Sequence, residues 1–311
     1  AGLAGYRLSH FVKSDGSLWG AGKATQNSEY GFGNGSSSVQ NTPIVLATNG
    51  TVQYDWANGK FNLSAYGAHL FIKEDTKLWG WGKGTGHRFG TGSTSSITNH
   101  TYLGSVGNTQ GSGWSNISSA NNGTTGVKTD GTMWGWGQDR YGRHGNGSGD
   151  PFTKTYPTQV GSGNTWTKAM TTWTNSLALD TQGRVWTSGW GYWGMNGHGN
   201  SNQIDTWTQV SSLGSGCTDI LLAYQTAFAL KGGNVYAWGR GSDGTLGNGS
   251  SPMTQNSPVQ TQISNVAKLG SNAAGRITRV GAAIKTDGTL WMWGRGNYGQ
   301  LGQPGSFSHH S

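Results

Sequence analysis

Catalysis and metal binding need polar side chains at a few recognisable spacings. Such groups are sparse in these 311 residues, which hold 13 Asp and Glu, eight His and one Cys. His87, His100, His144, His198, His309 and His310 show neither a His-x-x-x-His spacing nor the carboxylate spacing of a metal site, so no metal is expected. There is no Gly-x-Ser-x-Gly elbow and no Gly-Lys-Ser/Thr phosphate loop. Several carboxylates fall in turns, and the set does not assemble into an acid and base pair for hydrolysis. The chain is therefore expected to have no catalytic residues, to bind no cofactor and to be no enzyme. The lone Cys217 excludes an intramolecular disulfide and a multi-cysteine zinc site and reads as a small core residue.

What the chain has in quantity is aromatic and basic. It carries 16 Trp, and a formal charge of +8 that attracts acidic partners. Hot spots of interaction surfaces are enriched in aromatic residues and arginines on variable loops. The least repetitive stretches therefore make the expected contact set: Tyr192, Trp193 and His198; Gln138, Arg140, Tyr141 and His144; and Arg276 and Arg279. The partner expected is an acidic protein or surface glycan, with assembly into a larger complex open and nucleic acid second. No run of ~18 apolar residues and no basic-then-apolar leader is visible, so neither a membrane span nor a secretory signal is expected.

The elements that must position these residues follow from self-similarity. SDGSLWGAG from Ser14, EDTKLWGWG from Glu74, TDGTMWGWG from Thr129, TQGRVWTSG from Thr181, KGGNVYAWG from Lys231 and TDGTLWMWG from Thr286 align without gaps. Their first aromatics, Trp19, Trp79, Trp134, Trp186, Tyr236 and Trp291, lie 60, 55, 52, 50 and 55 residues apart. Asp15-Gly16, Asp130-Gly131, Asp287-Gly288 and Gly232-Gly233 predict tight type I′ hairpin turns. Leu290-Trp291-Met292-Trp293 alternates with the period of a strand. A glycine loop and a second strand pair complete each unit, giving about four antiparallel strands per fifty residues, which is a propeller blade. Residues 1–311 are read as one all-β domain of about six blades, with seven left open. Blade one is expected to lack its two leading strands, and the ring to close by pairing of the N- and C-terminal segments.

The repeat register also orders the basic residues. Lys13, Lys73, Lys128, Lys231 and Lys285 precede the turn, with Asp180 in the remaining unit. Lys23, Lys83, Arg240 and Arg295 follow the Trp-Gly segment, where Gln138 and Trp190 fill the other two places. About six residues at ~3.3 Å each separate the two sets, so they are expected near opposite faces. As a functional surface they would draw anions, with an affinity that falls on adding salt. As packing they would lay their stems over apolar strands.

Gly67-Ala68-His69, the run from Asp287 to Gly294, and Tyr298-Gly299-Gln300-Leu301-Gly302 together resemble the regulator of chromosome condensation repeat family, in a bacterial or viral type of member. The resemblance implies a β-propeller, usually of seven blades. The exchange factors of that family use an inserted wedge that this sequence lacks, so nucleotide exchange is not carried over. Three functions stay in play. The first is an interaction or structural module outside a cell or on a virus particle, as a tail, fibre or decoration protein. The second is a secreted bacterial inhibitor or adhesin that caps a partner with one propeller face. The third is an intracellular propeller that binds chromatin or a GTPase.

Overall fold

The computed structural model describes residues 2–4, 8–12, 17–23, 32–33, 39–47, 61–63, 67–73, 75–106, 111–147, 152–270, 279–296 and 301. They form six antiparallel sheets in two compact units.

The first unit, built mainly from residues 1–139 and 151–162, holds three sheets. β1 (Gly2–Ala4), β2 (Leu8–Val12), β3 (Leu18–Lys23) and β4 (Val39–Ala47) pair in sequence order. So do β5 (Phe61–Leu63), β6 (Ala68–Ile72), β7 (Leu78–Gly82) and β8 (Ile97–Tyr102). The third sheet is β9 (Trp114–Ala120), β10 (Gly123–Lys128), β11 (Met133–Asp139) and β12 (Phe152–Val160).

The second unit comprises mainly residues 140–150, 163–272 and 276–311. Its first sheet is β13 (Trp166–Thr171), β14 (Asn175–Asp180), β15 (Val185–Gly189) and β16 (Ile204–Gln209). Its second is β17 (Cys217–Leu222), β18 (Thr226–Lys231), β19 (Asn234–Gly239) and β20 (Gln255–Gln260). Its third has three strands among the described residues: β21 (Val266–Leu269), β22 (Val280–Lys285) and β23 (Leu290–Gly294).

The physical logic is that of stacked blades. Within each unit the first strand of a sheet lies on the inner strands of the sheet before it, as β9 does on β5 and β6 and as β17 does on β13 and β14. Middle strands are thus covered on both faces, and β6 and β14 are buried along their whole length. The second aromatic of the Trp-x-Trp segment drives this stacking. Trp81, Trp136, Trp238 and Trp293 are buried. The indole N–H of Trp136 donates to the Arg88 carbonyl at 2.7 Å, that of Trp238 to Met195 at 3.0 Å, and that of Trp293 to Thr245 at 3.1 Å. Each bond ties a sheet to the glycine loop of the preceding sheet, satisfying a donor that burial would otherwise leave unpaired.

Two expectations are corrected. The first sheet does not lack its leading strands: the three residues Gly2–Ala4 pair with β2 and complete four strands, a segment too short to carry a periodic signal. The latch expected from the tail falls on 302–311, outside the described residues. The Asp-Gly turns are not type I′ pairs either. Only Gly131 (φ 80°) and Gly288 (φ 84°) are left-handed, and each closes a three-residue loop in which the glycine N–H returns to Lys128 or Lys285. The aspartate acts through its side chain: Asp130 Oδ1 accepts from the Thr132 amide at 2.9 Å and its hydroxyl at 2.7 Å, and Asp287 binds Thr289 likewise. Gly232 (φ 57°) and Gly233 (φ 76°) do form the two-residue turn expected, between the paired Lys231 and Asn234. Asp15-Gly16 lies outside the described residues.

Candidate interaction surface

At the turn end of the hairpins the basic residues are engaged by their own repeats. Lys73 Nζ lies 4.0 Å from the Trp79 ring, Lys128 Nζ 5.3 and 5.2 Å from Trp114 and Trp134, and Lys285 Nζ 4.7 Å from Trp291. Lys231 Nζ instead donates to the Leu213 carbonyl at 2.6 Å. Burial lowers the pKa of both Lys73 and Lys128. Where Asp180 replaces the lysine, it accepts from the Trp186 indole at 3.0 Å while Arg184 supplies the cation 5.3 Å from that ring. Lys13 lies outside the described residues, as do Arg276 and the side chain of Lys23.

The opposite, loop end is built differently. The last Gly of each Trp-Gly segment is followed by a residue whose N–H returns to the residue just before, or opening, the second strand of the sheet. These bonds run from Lys83 to Gly67, Gln138 to Asn122, Trp190 to Thr174, Arg240 to Gln225 and Arg295 to Arg279. Except at Gly67, which has no side chain, the two side chains of each such pair therefore stand opposite one another. Asn122 donates to Gln138 at 2.8 Å, and Arg240 donates to the Gln225 Oε1 at 3.1 Å. The last pair is Arg279 against Arg295.

The glycine loop then makes one tight 3-10 turn with two consecutive left-handed residues. In the second unit the first of these is not glycine: Tyr141 (φ 58°), Trp193 (φ 60°) and Asp243 (φ 66°) hold that place, ahead of Gly142, Gly194 and Gly244. A side chain there costs about 1–2 kcal/mol, and each is compensated by a contact to the next repeat. Tyr141 stacks on Trp190 with centroids 5.2 Å apart and planes 15° from parallel. The Arg240 guanidinium lies 4.7 Å from the Trp193 ring. Asp243 pairs with Arg279 at 3.1 Å. Tyr192 covers the other side of this run, stacked on Trp190 at 5.0 Å and edge-on to Trp193 at 4.4 Å.

The outcome is a continuous surface of Tyr141, Trp190, Tyr192, Trp193, Arg240, Asp243 and Arg279, with Tyr192 50% exposed. Arg240 is pushed below its ordinary pKa, first by burial and next by the charge of Arg279; Asp243 and Tyr224 act the other way and Arg295 the same way. Three guanidiniums thus share one corner of it.

Of the residues expected from sequence, Tyr141, Tyr192, Trp193, Arg240, Arg279 and Arg295 gather here. Arg140 is exposed beside Tyr141. His144, expected in the contact set, is fully buried, because its loop position is the one that packs inward; its carbonyl accepts from Trp207 at 3.0 Å. His198 is half-buried, hydrogen-bonded to the Thr187 hydroxyl at 3.0 Å, its pKa lowered by burial. Gln138 is engaged with Asn122, and Lys83 is half-buried. Trp190 and Asp243 belong to the surface and were not singled out. Their repeat positions, equivalent to Arg240 and Trp193, were the available signal. Among the described residues, no group of three or more His, Cys, Asp or Glu could hold a metal ion.

The regulator of chromosome condensation (RCC1) repeat model matches residues 232–280 and 287–311. The chain carries RCC1-type repeats over these residues, on a β-propeller fold. Among curated proteins, the ultraviolet-B receptor UVR8 of Arabidopsis thaliana is 30% identical over 184 residues, 58% of this chain and 40% of the receptor. The human E3 ubiquitin-protein ligase HERC2 is 32% identical over 132 residues, 42% of this chain and 3% of the ligase. The chain thus spans less than half the length of these relatives. Human WBSCR16 superposes with a TM-score of 0.74 at 17% identity, covering 99% of this chain and 80% of that one. Prp20p of Saccharomyces cerevisiae, described with its binding to Gsp1p and histones, gives 0.69 at 16% identity over 86% of this chain and 65% of that one. At these identities the two structures show the fold.

Proposed function

We propose that this RCC1-type propeller is a non-enzymatic interaction module that grips a protein partner with the loop face of its second unit. The observation that carries the reading is the run Tyr141–Trp190–Tyr192–Trp193, four aromatic rings in one chain of contacts at the surface, two of which, Tyr141 and Trp193, stand on left-handed backbone that glycine would have relieved. Aromatic clusters of this kind are expensive to leave in water and are enriched at protein interfaces. The binding of Prp20p to Gsp1p and histones is a precedent on the same fold. The low charge fraction, 11%, and the many Gly, Ser, Thr and Asn support a place outside a cell or on a virus particle, which immunogold labelling of intact source cells or particles tests. The function is tested by affinity capture with the full chain, the Tyr192→Ala/Trp190→Ala variant and Lys285→Gln. At least one partner should be lost with the aromatic variant and kept with Lys285→Gln. Identical partner sets for all three would sink the reading.

A further inference from the structure

Beside the aromatic run, the loop end of the last sheet differs from the four equivalents among the described residues. Where four other sheets place Gly67 against Lys83, Asn122 against Gln138, Thr174 against Trp190 and Gln225 against Arg240, this sheet places Arg279 against Arg295, just beyond the paired ends of β22 and β23. Like charges directly opposite on neighbouring strands destabilise a sheet, so the pair is a local cost that the repeat itself does not require. Arg240 of the adjacent sheet adds a third guanidinium. Its plane is held against Trp193, and its Nε and Nη1 are anchored on Ser242 at 2.7 Å and Gln225 at 3.1 Å. Asp243 occupies Arg279 from within the chain, 17% and 31% of the two side chains remaining exposed.

We propose that Arg240, Arg279 and Arg295 form the seat for an acidic segment of the partner protein, its carboxylates bound by the guanidiniums beside Trp193, with Asp243 as the internal carboxylate that holds Arg279 in place until the partner arrives. The proposal rests on the aromatic face being an interaction surface and names the chemistry of what binds there. Arginine suits the task because its planar fork takes a carboxylate at two points and stacks on an aromatic ring, as Arg240 does. A nucleic-acid strand is a weaker fit. It needs cations repeated along a phosphate track, whereas here the guanidiniums converge on one corner, and Lys73, Lys128, Lys231 and Lys285 at the turn end are drawn onto aromatic rings or a carbonyl.

The test uses the full chain and a fluorescein-labelled hexaglutamate peptide, with binding read by fluorescence anisotropy at two salt concentrations. A thymidine dodecamer serves as the competing probe. Arg279→Gln/Arg295→Gln should weaken peptide binding by at least about tenfold and flatten its salt dependence. Asp243→Asn should tighten it by a few-fold, an outcome that a purely structural role for Asp243 would not produce. Lys285→Gln should leave it unchanged. Melting of Arg295→Gln, expected at or above that of the parent, shows that the lost binding is not lost folding. Peptide binding indifferent to the arginines would overturn the proposal, and so would a dodecamer that binds more tightly with the same dependence on them. If Tyr192→Ala/Trp190→Ala still loses its captured partner in that case, the interaction face stands and only its acidic ligand is refuted.

Discussion

Removing the carboxylate of Asp219 should loosen the second unit more than any other single change at its inner strands. Asp219 sits on β17, and its two oxygens serve three sheets. Oδ1 accepts from Lys168 Nζ of β13 at 2.7 Å and from the Ile220 amide at 2.9 Å, while Oδ2 accepts from the Leu269 amide of β21 at 3.0 Å. Lys168 Nζ also reaches the Ile220 carbonyl at 2.9 Å. The lysine and aspartate side chains are 27% and 14% exposed, so the ion pair is largely shielded from water. Hydrogen bonds to charged groups contribute about 1.5–3 kcal/mol each at most, and breaking a buried pair from one side costs about 3–5 kcal/mol. With the residual exposure taken into account, Asp219→Ala should cost roughly 2–4 kcal/mol. At about 2–4 °C per kcal/mol for a body of this size, melting followed by tryptophan fluorescence should fall by ~4–16 °C. Lys168→Met removes the cation but leaves Asp219 its two amide donors, and should cost less. The double variant should then fall short of the summed single effects by 1 kcal/mol or more, because the two side chains meet directly. Additive single effects, or a drop below 2 °C for Asp219→Ala, would refute the idea that this carboxylate joins three sheets.

Two further outcomes are expected. Gly189 (φ 112°) ends a Trp-Gly segment, and a Cβ there would run into the Thr174 carbonyl oxygen, so Gly189→Ala should lower stability by about 2–4 kcal/mol in a urea titration. The same substitution at Gly163, in an open turn before β13, should be nearly neutral. His100 is pushed down to about 4, chiefly by burial and then by the Lys73 charge, while its ring packs edge-on 4.2 Å from Trp81. Between about pH 6.5 and 4 the unfolded chain holds a proton there that the folded chain does not, so stability falls as pH drops through that window. At 1.36 kcal/mol per unit the loss approaches about 3 kcal/mol. Urea midpoints measured from pH 7 to 4.5 should show it for the parent and a flatter profile for His100→Gln. His198, lowered by burial as well, adds in the same direction.

The repeat was legible because it is a local signal written six times. Trp-x-Trp-Gly sets the strand alternation, and Asp-Gly or Gly-Gly sets the turn. From these the number of sheets and the strand order followed. The turn geometry was misread at Asp130 and Asp287, since a three-residue loop closed by an aspartate side chain has the same dipeptide as a two-residue turn. The strand at Gly2–Ala4 was missed because three residues carry no period.

Variable loops drew attention to Tyr141, Tyr192 and Trp193, and a locally basic strand region to Arg279, and the structure places these four on one surface; but loop membership does not say which way a side chain faces. His144 and Tyr141 lie three residues apart in one glycine loop, yet one is buried and the other stacks on Trp190 at the surface. Composition and spacing alone determined an all-β repeat dense in aromatic residues, with basic positions in register. Only the tertiary structure decided which of those cations are already spent. A residue's charge is a property of its type, but its availability depends on the ring or carbonyl that a neighbouring strand brings to it. Thus Lys73, Lys128 and Lys285 at the turns lie on tryptophans and Lys231 on a carbonyl, while three arginines gather at the loop end.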